Sequence, residues 1–184
     1  SQLYEKTFLG HIEGNGFTIG NYVVDSSEEL ENGGFFSEIN NASLKNIIFA
    51  PRYISLTNCN AVGTVAGRVN GSTLVNIKVD GFRYSSAIDG VVILGKNIVG
   101  GVVGVAEGSF NFNEITSNIS VNSTYRSILN GHNLRYYMET GISGSKFTIN
   151  GIEYTINNLQ TPTSLSHTGG PTPITGNKYF KINN

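Results

Sequence analysis

Residues able to act as acids, bases, nucleophiles or metal ligands are sparse in this chain of 184 residues. The histidines are His11, His132 and His167, and the one cysteine is Cys59. On a strand, His11 would share a face with the acid two residues on, but this is not the helical H-E-x-x-H zinc spacing, and we interpret the pair as solvated turn residues. Cys59 has no histidine or basic residue beside it that would activate a thiolate. We therefore expect no metal site and no cofactor.

Carboxylates are the remaining route to catalysis, because cleavage of a glycosidic bond usually needs two carboxyl groups that face one sugar. The one acidic cluster, Asp25, Glu28, Glu29 and Glu31, falls in a single segment that we interpret as a solvated loop. Neither the G-G-x-G-x-D calcium repeat nor an EF-hand loop occurs. We predict that the protein is not an enzyme.

The composition limits the classes of partner. Charged residues make up 14% of the chain and the formal net charge is −1, which gives no electrostatic reason to expect nucleic acid or an anionic membrane. No apolar run approaches the length of a transmembrane helix. The chain starts at Ser1 without a methionine or a charged-then-apolar signal, so we expect it to be part of a larger protein.

Internal repeats dominate the sequence. "GGFFSEINNASLKNIIF" (33–49) aligns on "GTVAGRVNGSTLVNIKV" (63–79), and "VGGVVGVAEGS" (99–109) aligns on residues 62–72. Repeats of this length are typical of stacked architectures, in which each unit buries its apolar face against its neighbours.

The alignment also predicts which residues lie at equivalent places. The predicted matches are Gly33 with Gly63, Phe35 with Val65, Gly10 with Ser37 and Gly67, Ile12 with Ile39, Ile19 with Leu44, Asn21 with Asn46, and residues 118–121 with 76–79. We expect Asn46, Asn76, Asn21 and Asn118 to form a ladder of side-chain amides at one corner. We expect Gly67 and Gly104 to lie where backbones approach closely.

The repeats are predicted to be strands. "FTIGNYVV", "SLKNIIF" and "TLVNIKV" are rich in β-branched and apolar residues at near-alternating spacing, and Asn-Gly, Gly-Ser and Asn-Ala-Ser clusters bound them as turns. The best helix candidate, "SSEELENG" (26–33), is short, and we interpret it as a loop. We predict an all-β fold, a parallel β-solenoid (β-helix) of about four coils over residues 1–128.

A Gly-apolar-x-Gly unit followed by Gly-Ser and then by Ile/Leu-x-Asn resembles the GLUG-type repeat. "GVVG" (101–104) is the cleanest copy, "GTVAG" (63–67) is a looser one, and "FLGHIEGNGFTIGNYVV" resembles the opening coil of such arrays. The resemblance covers about residues 7–128. It implies a parallel β-solenoid from a large bacterial surface protein, such as an adhesin-like protein or the N-terminal region of a streptococcal-type IgA1 metallopeptidase.

Residues 129–184 match nothing in the repeat and are predicted to form a separate capping element. "SKFTINGIEYTINN" (145–158) is typical of a β-hairpin, because Asn150-Gly151 is a preferred type I′ turn pair between two apolar strands. "KYFKI" (178–182) is predicted to be a last edge strand. A cap is expected because a stack exposes unpaired backbone groups at its ends; a linker to a further domain is the alternative.

Aromatic and arginine side chains in the connections are the candidates for recognition. The candidate binding residues are Phe82, Arg83, Tyr84, Tyr125, Arg126, Arg135, Tyr136 and Tyr137. Insertions on solenoids are often the binding face, and tyrosine and arginine are enriched at binding hot spots. The competing interpretation is that these rings only cover the ends of the apolar core.

We predict a non-enzymatic adhesin or stalk module that presents loops to a host-surface or matrix protein or glycan. The predicted location is extracellular or at a bacterial cell surface. One alternative is a carbohydrate-active β-helix, either a tail fibre or a lyase. The other is an inert structural domain of a large secreted protease or toxin.

Overall fold

The computed structural model describes residues 6–123, and the backbone of segments 131–132, 135–139, 146–149, 151–155 and 177–181. All regular structure in these residues is β-strand. The prediction of a loop at 26–33 is wrong for its second half, because Leu30–Gly33 form a strand. Since no helix occurs in these segments, none of them offers a helix that could cross a membrane.

The strands follow one another in repeated coils, each coil being one passage through the same set of sheets. The first coil holds β1 (Thr7–Phe8), β2 (His11–Glu13), β3 (Thr18–Gly20), β4 (Val23–Asp25) and β5 (Leu30–Gly33). The second holds β6 (Phe36–Asn40), β7 (Ser43–Ala50), β8 (Tyr53–Leu56) and β9 (Cys59–Gly63). The third holds β10 (Ala66–Asn70), β11 (Thr73–Val79), β12 (Val92–Gly95) and β13 (Ile98–Gly100). The fourth holds β14 (Val103–Glu107), β15 (Asn111–Ser117) and β16 (Ser120–Ser123).

Five further strands follow the fourth coil in the described segments. They are β17 (Gly131–His132), β18 (Arg135–Glu139), β19 (Lys146–Ile149), β20 (Ile152–Thr155) and β21 (Asn177–Lys181).

Strands at the same place in successive coils pair in parallel, so the described strands form four sheets. The first sheet has the order β1-β6-β10-β14-β18-β21, and the second has β2-β7-β11-β15-β19-β20 with β3 also on β7. The third has β17-β16-β12-β8-β4, and the fourth has β13-β9-β5. The protein is therefore all-β, with parallel strands in stacked sheets, in an arrangement like that of a β-helix.

Strand register confirms most of the alignment between the second, third and fourth coils. The pairs predicted correctly include Ile39 with Val69, Ser43 with Thr73, Leu44 with Leu74, Ile47 with Ile77, and Val99 with Val62. The match of Gly33 with Gly63 is wrong, because Gly33 pairs with Val62. Three residues lie between Val62 and Ala66, but only two lie between their partners Gly33 and Phe36, so the alignment needs a gap of one residue here.

The predicted register of the first coil is also wrong. Ile12 pairs with Leu44 and not with Ile39, Ile19 pairs with Phe49 and not with Leu44, and Phe8, rather than Ile12, pairs with Ile39. Gly10 therefore matches neither Ser37 nor Gly67. The reason is a bulge: residues 14–17 lie opposite residues 46–47, with the N–H groups of Gly14 and Gly16 donating to the carbonyls of Lys45 and Asn46. Strands β2 and β3 therefore both pair with β7 in the second sheet, and the bulge separates them.

In the fourth coil, residues 118–121 do not match 76–79. Strand β15 pairs with β11 instead, with Phe112 on Leu74 and Ile115 on Ile77, and Val121 pairs with Ile93 in the third sheet. One extra residue between Gly108 and Asn111 shifts the register.

The core is a single apolar column inside the coils. Its largest fully buried side chains include Phe49, Phe110 and Phe112. Cys59 is fully buried in the same cluster, and burial raises the pKa of its thiol to about 12. The sequence left a core residue and a loop thiol as the two interpretations of Cys59, and the structure shows the core residue.

The close approach predicted at the repeat glycines is confirmed. A Cβ added to Gly104 would lie 2.6 Å from the carbonyl oxygen of Gly67 and 2.9 Å from the nitrogen of Val62. A Cβ on Gly67 would lie 2.6 Å from the carbonyl oxygen of Ala61. The first and fourth sheets thus meet backbone to backbone at this corner, which leaves no room for a side chain.

The amide ladder is confirmed for two of its four predicted members. Asn76 Nδ2 donates to Asn46 Oδ1 at 2.8 Å, and Asn46 Nδ2 donates to Glu13 Oε1 at 2.9 Å. Asn21 and Asn118 lie elsewhere, because the first and fourth coils are shifted in register. The ladder runs along the surface and not in the core: Asn76 is exposed.

The ladder corner has a left-handed backbone. The φ angles are 56° at Asn46, 51° at Asn76 and 54° at Glu114, which takes the same place in the fourth coil. Asparagine tolerates this conformation better than most residues, which explains why the repeat carries it there.

Strands from the predicted capping element extend the sheets. β18 and β19 continue the first and second sheets in parallel, and β17, β20 and β21 add antiparallel edges. The predicted hairpin is confirmed, with Ile149 paired with Ile152 and Gly151 at φ 77°. The edge strand is confirmed as β21. The division of the chain at residue 128 stays a prediction.

Candidate binding surface

The segment between β11 and β12 forms a closed surface loop, residues 80–91. The repeat pattern places this insertion between the third and fourth coils, but it lies within the third coil, between the second and third sheets. The ends meet where Val91 N donates to Gly81 O at 2.7 Å, and Gly81 N donates to Asn118 Oδ1 of the fourth coil at 2.6 Å. Such closed ends are typical of a compact Ω-type loop.

Asp80 shapes the start of this loop. Its Oδ1 accepts hydrogen bonds from the N–H groups of Phe82 at 3.1 Å and Arg83 at 3.2 Å, and its Oδ2 lies 3.3 Å from Arg83 Nε. Burial raises the pKa of Asp80, but these hydrogen bonds and the charges of Arg83 and Lys78 outweigh burial and hold the pKa below its usual value.

The loop also reaches back to the first coil. Arg83 Nη1 donates to Thr18 Oγ1 at 2.8 Å, and the ring of Tyr84 lies over Gly20, where a Cβ would be 2.5 Å from Tyr84 Cε2. The loop therefore has contacts in the first and fourth coils as well as in its own. These contacts order the aromatic side chains before any ligand binds.

A cleft of about 580 Å³ lies between the loop and strands β8 and β12. Its lining includes Arg52, Tyr53, Tyr84, Ser85, Ser86 and Val92. Tyr53 is 42% exposed, Tyr84 39% and Val92 41%. Tyr53 Oη also donates to Asp25 Oδ2 at 3.3 Å.

This lining suits recognition. Half-exposed tyrosine rings offer flat apolar faces with a polar edge, and the arginine and serines supply hydrogen-bond donors and hydroxyl groups. Pyranose rings and peptide segments present the matching combination of apolar faces and polar edges. Among the described lining residues there is neither a histidine nor a cysteine.

Phe82 and Tyr84 lie on the same loop, which Arg83 anchors, and their part in binding stays a prediction. Phe82 is 48% exposed. Tyr125 and Arg126 lie outside the described residues. Arg135, Tyr136 and Tyr137 fall in strand β18 rather than in a loop, with Tyr137 paired with Val105; the prediction of a loop there is wrong.

Sequence reasoning missed Arg52, Tyr53 and Val92. They belong to β8, its preceding corner and β12, strands that pair with each other but are separated in the sequence by a whole coil. The repeat itself was the available signal, because the third-sheet strand of one coil must lie beside the third-sheet strand of the next coil. In the third coil this strand, β12, is hard to recognise from the sequence, because the insertion at 80–91 precedes it and breaks the repeat spacing.

A second groove of about 640 Å³ runs along the fourth sheet. Its lining includes Glu29, Glu31, Glu38, Asn60, Lys96 and Asn97. Asn97 Nδ2 donates to Asn60 Oδ1 at 2.8 Å, and Asn60 Nδ2 donates to Glu31 Oε2 at 3.3 Å. This is a second amide ladder that ends on a glutamate in the first coil, and the alignment did not predict it.

The remaining candidate residues for chemistry are dispersed. His11 Nδ1 and Ser43 Oγ are hydrogen-bonded at 2.7 Å. The Glu13 carboxylate accepts hydrogen bonds from the side chain of Asn46 and the N–H of Asn15, which lower its pKa. Within residues 6–122, whose side chains the structure describes, no group of three histidine, cysteine or acidic side chains could hold a metal ion.

Comparison with known proteins gives one partial match. The chain is 35% identical over 104 residues to halomucin of Haloquadratum walsbyi; the match covers 56% of this chain and 1% of halomucin. The matched segment is therefore a small part of a far longer protein. No protein-family model and no solved structure matches the chain, and the resemblance to GLUG-type repeats stays a prediction.

Proposed function

We propose that this chain is a non-enzymatic repeat module of a large surface or secreted protein, and that it binds glycan through the cleft at loop 80–91. The similarity to a segment of halomucin supports a surface or secreted parent. The parallel stack supports a spacer that holds a loop away from its point of attachment. The resemblance to GLUG-type repeats, found in adhesin-like proteins, agrees with this role.

The observation that carries the proposal is the ordered aromatic cleft. Tyr53 comes from one coil and Tyr84 from the insertion in the next, and both are partly exposed beside Arg52 and two serines. Rings that merely sealed the core would be buried, as Phe49 and Phe112 are. A protein ligand of the host surface or matrix is the other occupant to be tested.

The test is a glycan array and a panel of matrix proteins, probed with the unmodified chain and three variants. We expect Tyr84→Ala and Tyr53→Ala to lose binding by about 1–3 kcal/mol, as stacked aromatic anchors do. Phe17→Ala is the matched control, since Phe17 is 76% exposed on the first coil and does not line the cleft. Binding that survives both tyrosine changes would refute the assignment of the cleft.

A second candidate function is cleavage of a polysaccharide, and one observation favours it. Glu29, Glu31 and Glu38 line the groove on the fourth sheet, and glycosidases use paired carboxyl groups. Incubation with a panel of polysaccharides decides the matter. Release of reducing ends or unsaturated sugars, lost in Glu31→Gln or Glu38→Gln, would establish the enzyme and refute the non-enzymatic proposal.

A further inference from the structure

The first coil leaves its outer backbone edge without a described partner. In each sheet the described strands continue from the first coil toward the fourth: β5 pairs only with β9, and β4 only with β8. An open edge of this kind is a template for another strand. In every later coil, the corresponding edge is paired with the strands of the coil before it.

Tyr22 marks an unfilled hydrogen bond at this end. Its ring lies with Phe8, Phe35 and Phe36 in an apolar cleft of about 440 Å³, edge-on to Phe35 at a centroid distance of 5.3 Å. The Tyr22 Oη atom is buried and has no hydrogen-bond partner among the described residues. A buried hydroxyl without a partner is costly, so a polar group of the missing occupant is expected beside it.

Asn32 gives a second, independent sign. It lies in β5 and lines the groove on the fourth sheet, and its Oδ1 is buried without a partner in the part of the chain that the structure describes. In the next coil the equivalent place is taken by Ala61, which is covered by β5 on one side and β13 on the other. A donor side chain on a strand laid on β5 would supply the hydrogen bond that Asn32 lacks, as Asn97 does for Asn60 one sheet position away.

The two amide ladders show what chemistry the occupant needs. Each ends in the first coil on a carboxylate, Glu13 or Glu31, that accepts hydrogen bonds from the asparagine one coil on. If another coil lay against the first, donor side chains next to Glu13 and Glu31 would each extend one of the two ladders.

We propose that the outer face of the first coil is the docking site for one further coil of the same repeat, a parallel β-segment with apolar residues over Phe8 and Phe36 and hydrogen-bond donors over Glu13 and Glu31. The existing interface between coils continues through this face. A second copy of the chain fits less well, because Lys6 is the one lysine or arginine in residues 6–33 while carboxylates recur there, so two such faces would repel each other.

The test supplies the missing coil from the chain itself. Thr7 pairs with Glu38, and Glu38 pairs with Arg68, so Thr7 and Arg68 take the same place in their coils. Lys6, one residue before Thr7, therefore takes the place of Gly67. A variant that carries a copy of residues 36–66 directly ahead of residue 6, in place of residues 1–5, and that also has Lys6→Gly because Gly67 has no room for a side chain, would lay a second Cys59–Gly63 strand on β5. The control carries the same residues in shuffled order.

Hydrogen exchange of the β5 amides is the readout. Leu30 N already donates to Asn58 O at 3.4 Å, so with the copied coil we expect exchange to slow by on the order of tenfold or more only at the β5 amides that do not donate to β9. The shuffled residues should not slow them. A peptide of residues 56–66 added to the unmodified chain is a second measurement that does not depend on folding of the extended variant. If neither the copied coil nor the peptide slows exchange, the proposal is wrong.

Tyr22→Phe separates docking from general stabilisation. In the unmodified chain we expect an unchanged or higher Tm, because the change removes a hydroxyl without a partner; in the extended variant we expect a lower Tm, because that hydroxyl is then hydrogen-bonded. An equal effect in both would overturn the proposal. So would a dimer of the unmodified chain in which the β5 amides are already protected, since a second copy would then occupy the face.

Discussion

At the scale of single residues, Gly67 and Gly104, which lie next to each other in successive coils, set how closely the first and fourth sheets pack. Any side chain at Gly104 must displace backbone atoms of Gly67 and Val62, which cannot rotate away. We expect Gly104→Ala to lower the free energy of unfolding by roughly 1–3 kcal/mol, and Gly104→Val by more, through overpacking. Urea unfolding measures the change.

Gly10→Ala is the matched control for this substitution. A Cβ at Gly10 would meet the tip of the Phe8 ring, at 3.0 Å, and no backbone atom. A flexible ring can move aside, so we expect a change within about 0.5 kcal/mol. Equal stability losses at both glycines would contradict the role assigned to the backbone contact.

The asparagine ladder combines a backbone effect with a hydrogen bond, and two substitutions separate them. Asn76 has φ 51°. Asn76→Gly therefore loses only the side-chain hydrogen bond to Asn46. Asn76→Ala loses that hydrogen bond too, and in addition must hold alanine in the left-handed conformation at a cost of about 1–2 kcal/mol. We expect the alanine variant to be the less stable by that amount in thermal or urea unfolding.

Asn60 is the control for this comparison, because its side chain is part of an amide ladder but its backbone does not have a positive φ. At this position we expect Asn60→Gly to be less stable than Asn60→Ala, since glycine inside a strand lowers stability by about 0.5–1 kcal/mol relative to alanine. If alanine and glycine rank alike at both positions, the left-handed corner does not explain the choice of asparagine.

At the scale of an element, loop 80–91 depends on an ionised Asp80. Its pKa is lowered in the folded chain, so this contribution to stability is fully present above the unfolded pKa of about 3.9. It is lost as the pH falls through the lower folded value. We expect the amides of Phe82 and Arg83 to lose protection in acid before those of β11.

The measurement is hydrogen exchange or NMR of these amides between pH 6 and pH 2. Asp80→Asn is the control: it keeps an oxygen that accepts the two backbone hydrogen bonds but does not titrate. We expect its loop to show no acid-induced opening that precedes the rest of the third coil. An unchanged acid response in this variant would assign the opening to another group.

At the scale of the whole molecule, Cys59 reports on the integrity of the stack. It is fully buried in the fourth sheet, and burial raises the pKa of its thiol to about 12, so little thiolate forms at pH 8. We expect a thiol reagent to label the native chain only as fast as the coils open, and to label it at once in strong denaturant.

Ser27→Cys is the matched control, because position 27 is exposed in the loop before β5 and should be labelled promptly in the native state. Rapid labelling of Cys59 in the native chain would show that the coils around β9 open locally, contrary to a continuous core.

Much of the architecture was predictable from local pattern. The alternation of apolar residues in residues 43–49 and 73–79 predicts strands, and their repetition predicts parallel stacking in the register observed between β7 and β11. The Asn150-Gly151 turn predicts the hairpin because the preference is local to two residues. Gly67 and Gly104 recur at one place because the backbone there has no room for a Cβ.

The tertiary structure decided what depends on residues far apart in the sequence. A bulge at residues 14–17 and one-residue differences at corners shift the register of whole coils, and a period-2 pattern cannot reveal such shifts, because each new register still alternates. For the same reason the cleft at loop 80–91 could be predicted only in part: Tyr84 stands out in the insertion, whereas Tyr53 belongs to another coil and meets it only through strand pairing. The sequence by itself determined strands, repeats and the glycine and asparagine corners, since these follow from each residue's own conformational preferences. Which side chains share a surface was decided by how the coils stack, and that is a property of the whole molecule.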